Sequence, residues 1–193
     1  MNTIEAINAR RSIRRFKETA IERADIERVL DAGIRAPSGK NRQPWRFVVL
    51  EERARTHLAD LVDSACEASR AQGEDTGSGP ASAAIIRQAP VTVMVFATEL
   101  PDEWKPFEPT ARRVDIQSIG TAIENMCLAA VDLGFGSLWV ADVLYAEDAI
   151  CEWLAQPEEL MVAALSIGLP DESPEARSRR AIEGTATWMT SAE

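Results

Sequence analysis

The stretch from 111 to about 133 constrains the fold most strongly. Ile116, Ile119, Gly120, Ile123, Met126, Cys127 and Ala130 recur there at helical spacing. A helix this apolar needs cover on most of its circumference. It therefore predicts a core element, with capacity left over for a contact between subunits. Gly134, just past the last periodic residue, is a natural C-cap. Four strand-length apolar runs accompany this helix, at 47–50, 91–96, 136–140 and 161–167. The run at 91–96 is apolar almost without a break, as in a strand covered on both faces. Strands interleaved with helical segments imply one α/β or α+β domain, with the strand order left open.

The remaining elements follow from local signals. Thr3 can cap a short helix to about 8, with Ile4 and Ile7 on one side. Thr19 and Glu22 match a capping box that opens a helix to 34, with Ile26, Val29, Leu30 and Ile34 facing inward. A longer amphipathic helix fits 51–71, a loop rich in Gly, Ser and acid fits 72–80, and a short helix fits 83–87. Residues 100–109 hold three prolines with Trp104 and Phe107, a loop able to cover a pocket. A further helix fits 142–154. The polar C-terminal residues carry Trp188 as an apolar anchor, so the chain reads as one domain over 1–193 with 173–193 as an extended arm.

Charge is segregated. The net charge is −10, which argues against nucleic acid as the main partner. Residues 1–46 nevertheless carry eleven Lys/Arg against six Asp/Glu, or +5, and the remainder carries ten against twenty-five, or −15. No Lys or Arg occurs from 114 to 176, after which Arg177, Arg179 and Arg180 arrive together. Cations held at two places in an acidic chain suit a local anion site, because guanidinium forks match phosphate geometry. Cys66, Cys127 and Cys151 are widely spaced, without a CxxC pair, and suggest neither a disulfide framework nor a zinc site; Cys127 and Cys151 sit in helical apolar patterns and read as core side chains. His57 is the only histidine and reads as solvated. No membrane-length apolar run or signal pattern is present, so the cytoplasm is the expected location.

Two stretches carry candidate chemistry. Arg10, Arg11, Arg14 and Arg15, with Ser12 among them, form a compact donor cluster for phosphate or carboxylate. Residues 36–45, Ala-Pro-Ser-Gly-Lys-Asn-Arg-Gln-Pro-Trp, form a polar helix-to-strand loop with a hydroxyl, two amides, cations and an indole. Ligands are often held in such loops.

The order of these motifs resembles that of the FMN-dependent nitroreductase family: Arg-Arg-Ser-x-Arg, then Pro-Ser-Gly-x-Asn-x-Gln-Pro-Trp, then Leu-Gly-x-Gly-Ser-Leu-Trp after a long helix, then Ile-Gly-Leu-Pro and an Arg-x-Arg tail. The resemblance implies an α+β fold with a mixed sheet flanked by helices, in an intertwined homodimer with FMN at the subunit interface. It also implies ping-pong two-electron transfer from NADH or NADPH to nitroaromatics, quinones or similar acceptors. Arg10, Arg11 and Ser12 resemble the phosphate and ribityl contacts, with Arg14 adjacent. Arg177 and Arg179 resemble tail cations reaching the same phosphate. Pro37, Ser38 and Asn41 resemble a loop against the isoalloxazine ring, supplied by the other subunit, and Gly136, Ser137 and Leu138 a turn on the ring's other side. The flavin then carries the redox chemistry and no side-chain triad or metal is needed. A Pro-x-Glu-Gly turn of some members is replaced here by Trp139-Val140-Ala141-Asp142, so its glutamate contact does not carry over, and residues 66–110 offer no motif. Same-fold flavoenzymes with dehalogenase-like or flavin-consuming chemistry, and a flavin-binding protein without turnover, are the alternative readings.

Overall fold

A computed structural model describes residues 1–156 and 159–190. The elements in chain order are α1 (Thr3–Ala9), α2 (Arg23–Ile34), β1 (Trp45–Glu51), α3 (Glu52–Ala71), α4 (Gly79–Gln88), β2 (Val91–Ala97), α5 (Glu108–Asp132), β3 (Gly136–Val140), α6 (Glu147–Trp153) and β4 (Leu160–Gly168). The strands form one sheet in the order β1-β2-β4-β3, antiparallel at every pairing. The parallel part of the expected mixed sheet is a single bridge between Ser12 and Ser137 on the outer side of β3.

Two hydrophobic layers explain why β2 is apolar throughout. Val91, Val93, Val95 and Ala97 point to one face, where α2 and α5 supply Ile26, Val29, Ile119, Ile123 and Met126. Met94 and Phe96 point to the other, against Leu58, Val62, Ile86 and Ile150 of α3, α4 and α6. Helices on both faces thus impose the continuous pattern on an antiparallel strand, although that pattern is commoner in parallel sheets. Inside this apolar centre, the Thr92 and Ser166 hydroxyls satisfy one another across β2 and β4 at 3.0 Å.

The helix ends agree in part with the local signals. Gly134 closes α5 as expected: its N–H donates to Val131 and that of Phe135 to Ala130, the paired bonds of a Schellman cap. At α1 the capping box belongs instead to Asn2 and Glu5. Thr19 and Glu22 do not form one, since α2 begins at Arg23 with no side-chain cap. Ile116 lies outside the core, because the inward positions at that turn of α5 go to Asp115 and Ser118. The loop before α4 is tied down at its end, where the hydroxyls of Ser78 and of Ser82 in the first turn of α4 both donate to Asp142.

Residues 12–17 lie along the open edge of β3 and the end of β4, and two glycines make room for them. A Cβ at Gly136 would stand 2.6 Å from Ile13 Cγ1, and one at Gly168 would stand 2.7 Å from both Phe16 Cδ1 and Pro90 Cδ. Ile13 and Phe16 are buried in these notches. Gly168→Ala is therefore expected to destabilise the protein by about 1–3 kcal/mol through overpacking. A lowered urea midpoint with an unchanged slope is the corresponding measurement.

Candidate active site

The arginine segment is fixed by its backbone, which leaves its side chains for a ligand. Ile13 N–H donates to the Ser137 carbonyl at 2.9 Å, Lys17 N–H to Leu169 at 2.9 Å, and Asp171 N–H to Arg15 at 2.9 Å. The Glu172 carboxylate accepts the backbone N–H groups of Arg14 and Arg15 and pairs with the Arg15 guanidinium at 3.5 Å. These bonds draw the start of the C-terminal tail against the N-terminal segment, although the two are about 160 residues apart in sequence.

Arg10, Arg11, Ser12, Arg14, Arg177 and Arg179 consequently line one pocket of about 120 Å³, closed by Pro174 and Glu175. Arg10 is paired with Glu124 of α5 at 3.3 Å. Among the described residues, Arg11, Arg14, Arg177 and Arg179 form no ion pair with any carboxylate. Arg11 donates only to the Asn8 and Arg10 carbonyls, Arg14 to Ser12, and Arg179 to Arg177 and Ser178. Against these four unpaired cations the pocket lining sets one carboxylate, Glu175, so the guanidinium groups still repel one another, and an anion with several acceptor oxygens relieves that repulsion.

Gly136 lines an adjoining cavity of about 300 Å³ that shares Arg11 and Pro174 with the first. Ser137 and Leu138 are buried, and Leu138 belongs to the core under α3 and α4. Pro37, Ser38 and Asn41 line neither cavity. Their loop packs instead on α5, where a Cβ on Gly39 would meet Val114 Cγ1 at 2.5 Å. Six of the expected residues therefore meet in one place, Gly136 stands beside them, and the loop stands apart within a single chain.

That loop is the most strained part of the backbone. Lys40, Asn41 and Gln43 all adopt left-handed conformations, with φ of 52°, 55° and 53°. Asn tolerates this region better than Lys or Gln, and runs of such residues cluster at ligand sites. The Ser38 hydroxyl accepts the Gln43 N–H at 2.9 Å and so closes the turn. Arg42 locks it to the body: its guanidinium lies 3.0 Å from the Asp115 carboxylate, with the side chains 9% and 1% exposed. Arg42 also donates to the Thr98 hydroxyl and to the Thr98 and Glu99 carbonyls. The Asp115 oxygen facing Arg42 receives no aligned hydrogen bond, so the contact is one of charge. Burial raises the Asp115 pKa, against the opposing pull of Arg42 and Arg112. An acid on the otherwise apolar face of α5 was the available sequence signal for this pair.

Other chemistry is scarce. All three cysteines are free and buried. Burial raises each thiol, and pushes Cys127 up to about 11, which removes thiolate chemistry at neutral pH. His57 is exposed as expected, but its ring also meets Trp153 edge-on at 4.7 Å. Among the described residues, no acidic, His or Cys group could hold a metal, and no helix is long and apolar enough to cross a membrane.

The α+β fold, with helices on both faces of one antiparallel sheet, is shared with known proteins. The nitroreductase family model matches residues 7–169, and the chain belongs to that family. A candidate NADH dehydrogenase/NAD(P)H nitroreductase of Archaeoglobus fulgidus is 31% identical over 174 residues, which cover 88% of this chain and 86% of the relative. The 5,6-dimethylbenzimidazole synthase of Rhodospirillum rubrum is 32% identical over 176 residues, covering 84% and 79%. The crystal structure of a candidate nitroreductase from Desulfovibrio desulfuricans in complex with FMN superposes with a TM-score of 0.74 at 27% identity, covering 98% of each chain.

Asp115→Ala removes the counter-charge of a buried guanidinium and is expected to cost about 3–5 kcal/mol of unfolding free energy. Asp115→Asn isolates the pH dependence. Because burial raises the carboxyl above its ordinary 3.8, its contribution to stability is fully present below that value and is lost as pH rises through the folded-state pKa. Wild type measured against Asp115→Asn in urea should gain relative stability as the pH falls. The three thiols should resist a thiol reagent in the folded protein, and all should react in denaturant.

Proposed function

We propose that this chain is a homodimeric FMN-dependent oxidoreductase that passes two electrons from NAD(P)H to a nitroaromatic, quinone or similar acceptor. One observation carries the reading: four guanidinium groups without carboxylate partners, drawn from both ends of an acidic chain, line one pocket with a seryl side chain. The excess of cations suits the terminal phosphate of FMN, whose oxygens the guanidinium fork can meet two at a time. Arg10, Arg11, Ser12, Arg14, Arg177 and Arg179 would hold the phosphate and neighbouring hydroxyls. Gly136, Ser137 and Leu138 would present the β3 backbone to the ring system. When bound, FMN supplies the two-electron chemistry, accepting reducing equivalents from the nicotinamide and returning them to the acceptor.

The second subunit enters through the loop. Pro37, Ser38 and Asn41 stand apart from the arginine pocket of their own chain, and a partner's copy of the loop would complete that site. The described part of the arm supports this pairing. It is exposed from 175 to 190, and Trp188, 85% exposed, is left uncovered by the other described residues, which suits a contact with a partner chain.

A second reading keeps the fold and changes the chemistry. The relative from R. rubrum is a 5,6-dimethylbenzimidazole synthase, and the dimethyl-substituted ring of that product has the same pattern as the outer ring of a flavin. Formation of 5,6-dimethylbenzimidazole by this protein in the presence of reduced FMN and oxygen would favour it.

The purified protein is expected to show flavin absorbance and to release FMN on denaturation. Arg11→Ala and Arg179→Ala should each weaken FMN binding about tenfold or more, as expected for loss of a charge-assisted bond of about 1.5–3 kcal/mol. Unchanged affinity in both variants, measured by flavin fluorescence titration, would remove the proposed phosphate site.

A further inference from the structure

A further pocket, this one apolar, lies beside the strained loop. It measures about 420 Å³ and its walls are Trp104, Phe107, Ala111 and Val114, with Lys40 and Glu103 as its charged residues. Phe107 is 68% exposed, a large aromatic left uncovered by the other described residues. Lys40 Nζ lies 5.5 Å from the centre of the Trp104 ring, and the Arg42 guanidinium lies 5.8 Å from it. Among the described residues Lys40 has no carboxylate partner. Its left-handed backbone, at φ 52°, sets the side chain on this pocket at a conformational cost that a glycine there would avoid. Size, apolar walls and one placed cation are the usual makings of a small-molecule site.

We infer that this pocket is the acceptor subsite, and that it selects planar aromatic compounds carrying an anionic substituent. The inference rests on the oxidoreductase reading above and adds the substrate class. Trp104 and Phe107 supply the faces on which an aromatic ring stacks. Lys40, buttressed by the indole, meets the carboxylate or sulfonate, while the rest of the pocket excludes strongly hydrated neutral acceptors. Glu103, which approaches the same pocket, disfavours two negative groups on one ligand and limits the class to monoanions.

Three para-substituted nitro compounds of closely matched size test the assignment: 4-nitrobenzoate, 4-nitroacetophenone and 4-nitrobenzylamine. Wild type should show the highest kcat/KM for the anion, through a lower KM. In Lys40→Gln the anion-to-neutral ratio of kcat/KM should fall about tenfold, the loss expected for a charge-assisted contact. Lys40→Arg should restore the ratio. Nitro aromatics also quench indole fluorescence, so binding of 4-nitrobenzoate is read without turnover, and its quenching should shrink in Trp104→Phe. The same ratio in wild type and Lys40→Gln would overturn the inference, and so would a preference for the amine, which would assign the pocket to Glu103. Failure of the oxidoreductase reading looks different: no flavin is held and NAD(P)H is not consumed with any acceptor, quinones included.

Discussion

The buried pair between Arg42 and Asp115 is the contact on which the placement of the loop after α2 depends. It joins three segments distant in sequence: the loop after α2, the inner face of α5, and the chain leaving β2 at Thr98 and Glu99. Burying two charges costs more than exposing them, and their attraction roughly offsets that cost when further hydrogen bonds are made. The net gain in stability is small. The gain in position is large, because the loop cannot shift without leaving one charge alone in the interior. Thr98 N–H also bonds to the Pro44 carbonyl at 2.8 Å, so the same joint sets where β1 begins.

At the other end of the molecule, positioning relies on shape. Gly136 and Gly168 leave hollows at the sheet edge, Ile13 and Phe16 fill them, and the arginines between and beside these anchors are held over the pocket. Charge segregation along the chain thereby becomes a local field in three dimensions. The two ends of an acidic protein meet at one cationic spot, which favours capture of an anion over general adhesion to polyanions.

Much of this architecture was legible in the sequence, for identifiable reasons. β2, β4 and most of α5 announce themselves because burial on both sides imposes a nearly continuous apolar pattern on them, and Gly134 marks the end of α5 because its cap uses only local bonds. The arginines, Ser12 and the tail cations were recognisable as a set because their chemistry has few other uses in an acidic chain. Signals shared with other structures misled: Thr19 and Glu22 have capping-box spacing, yet Glu22 itself is the N-cap and α2 starts one residue later. The antiparallel sheet and the Arg42–Asp115 pair were not legible, since strand direction and partner choice are set by contacts across scores of residues. Trp104 and Phe107 stood out as a loop that covers a pocket, whereas the left-handed run at Lys40, Asn41 and Gln43 has no local signature apart from Asn41.

That run has an evolutionary consequence. A left-handed residue other than glycine carries a conformational penalty of about 1–2 kcal/mol, so glycine at position 40 is a simple route to a more stable loop. The chain instead keeps a long cation there, on a backbone that disfavours it. Selection for thermal robustness and selection for activity would therefore pull this one position in opposite directions, and variants adapted to heat should reveal which pressure prevailed.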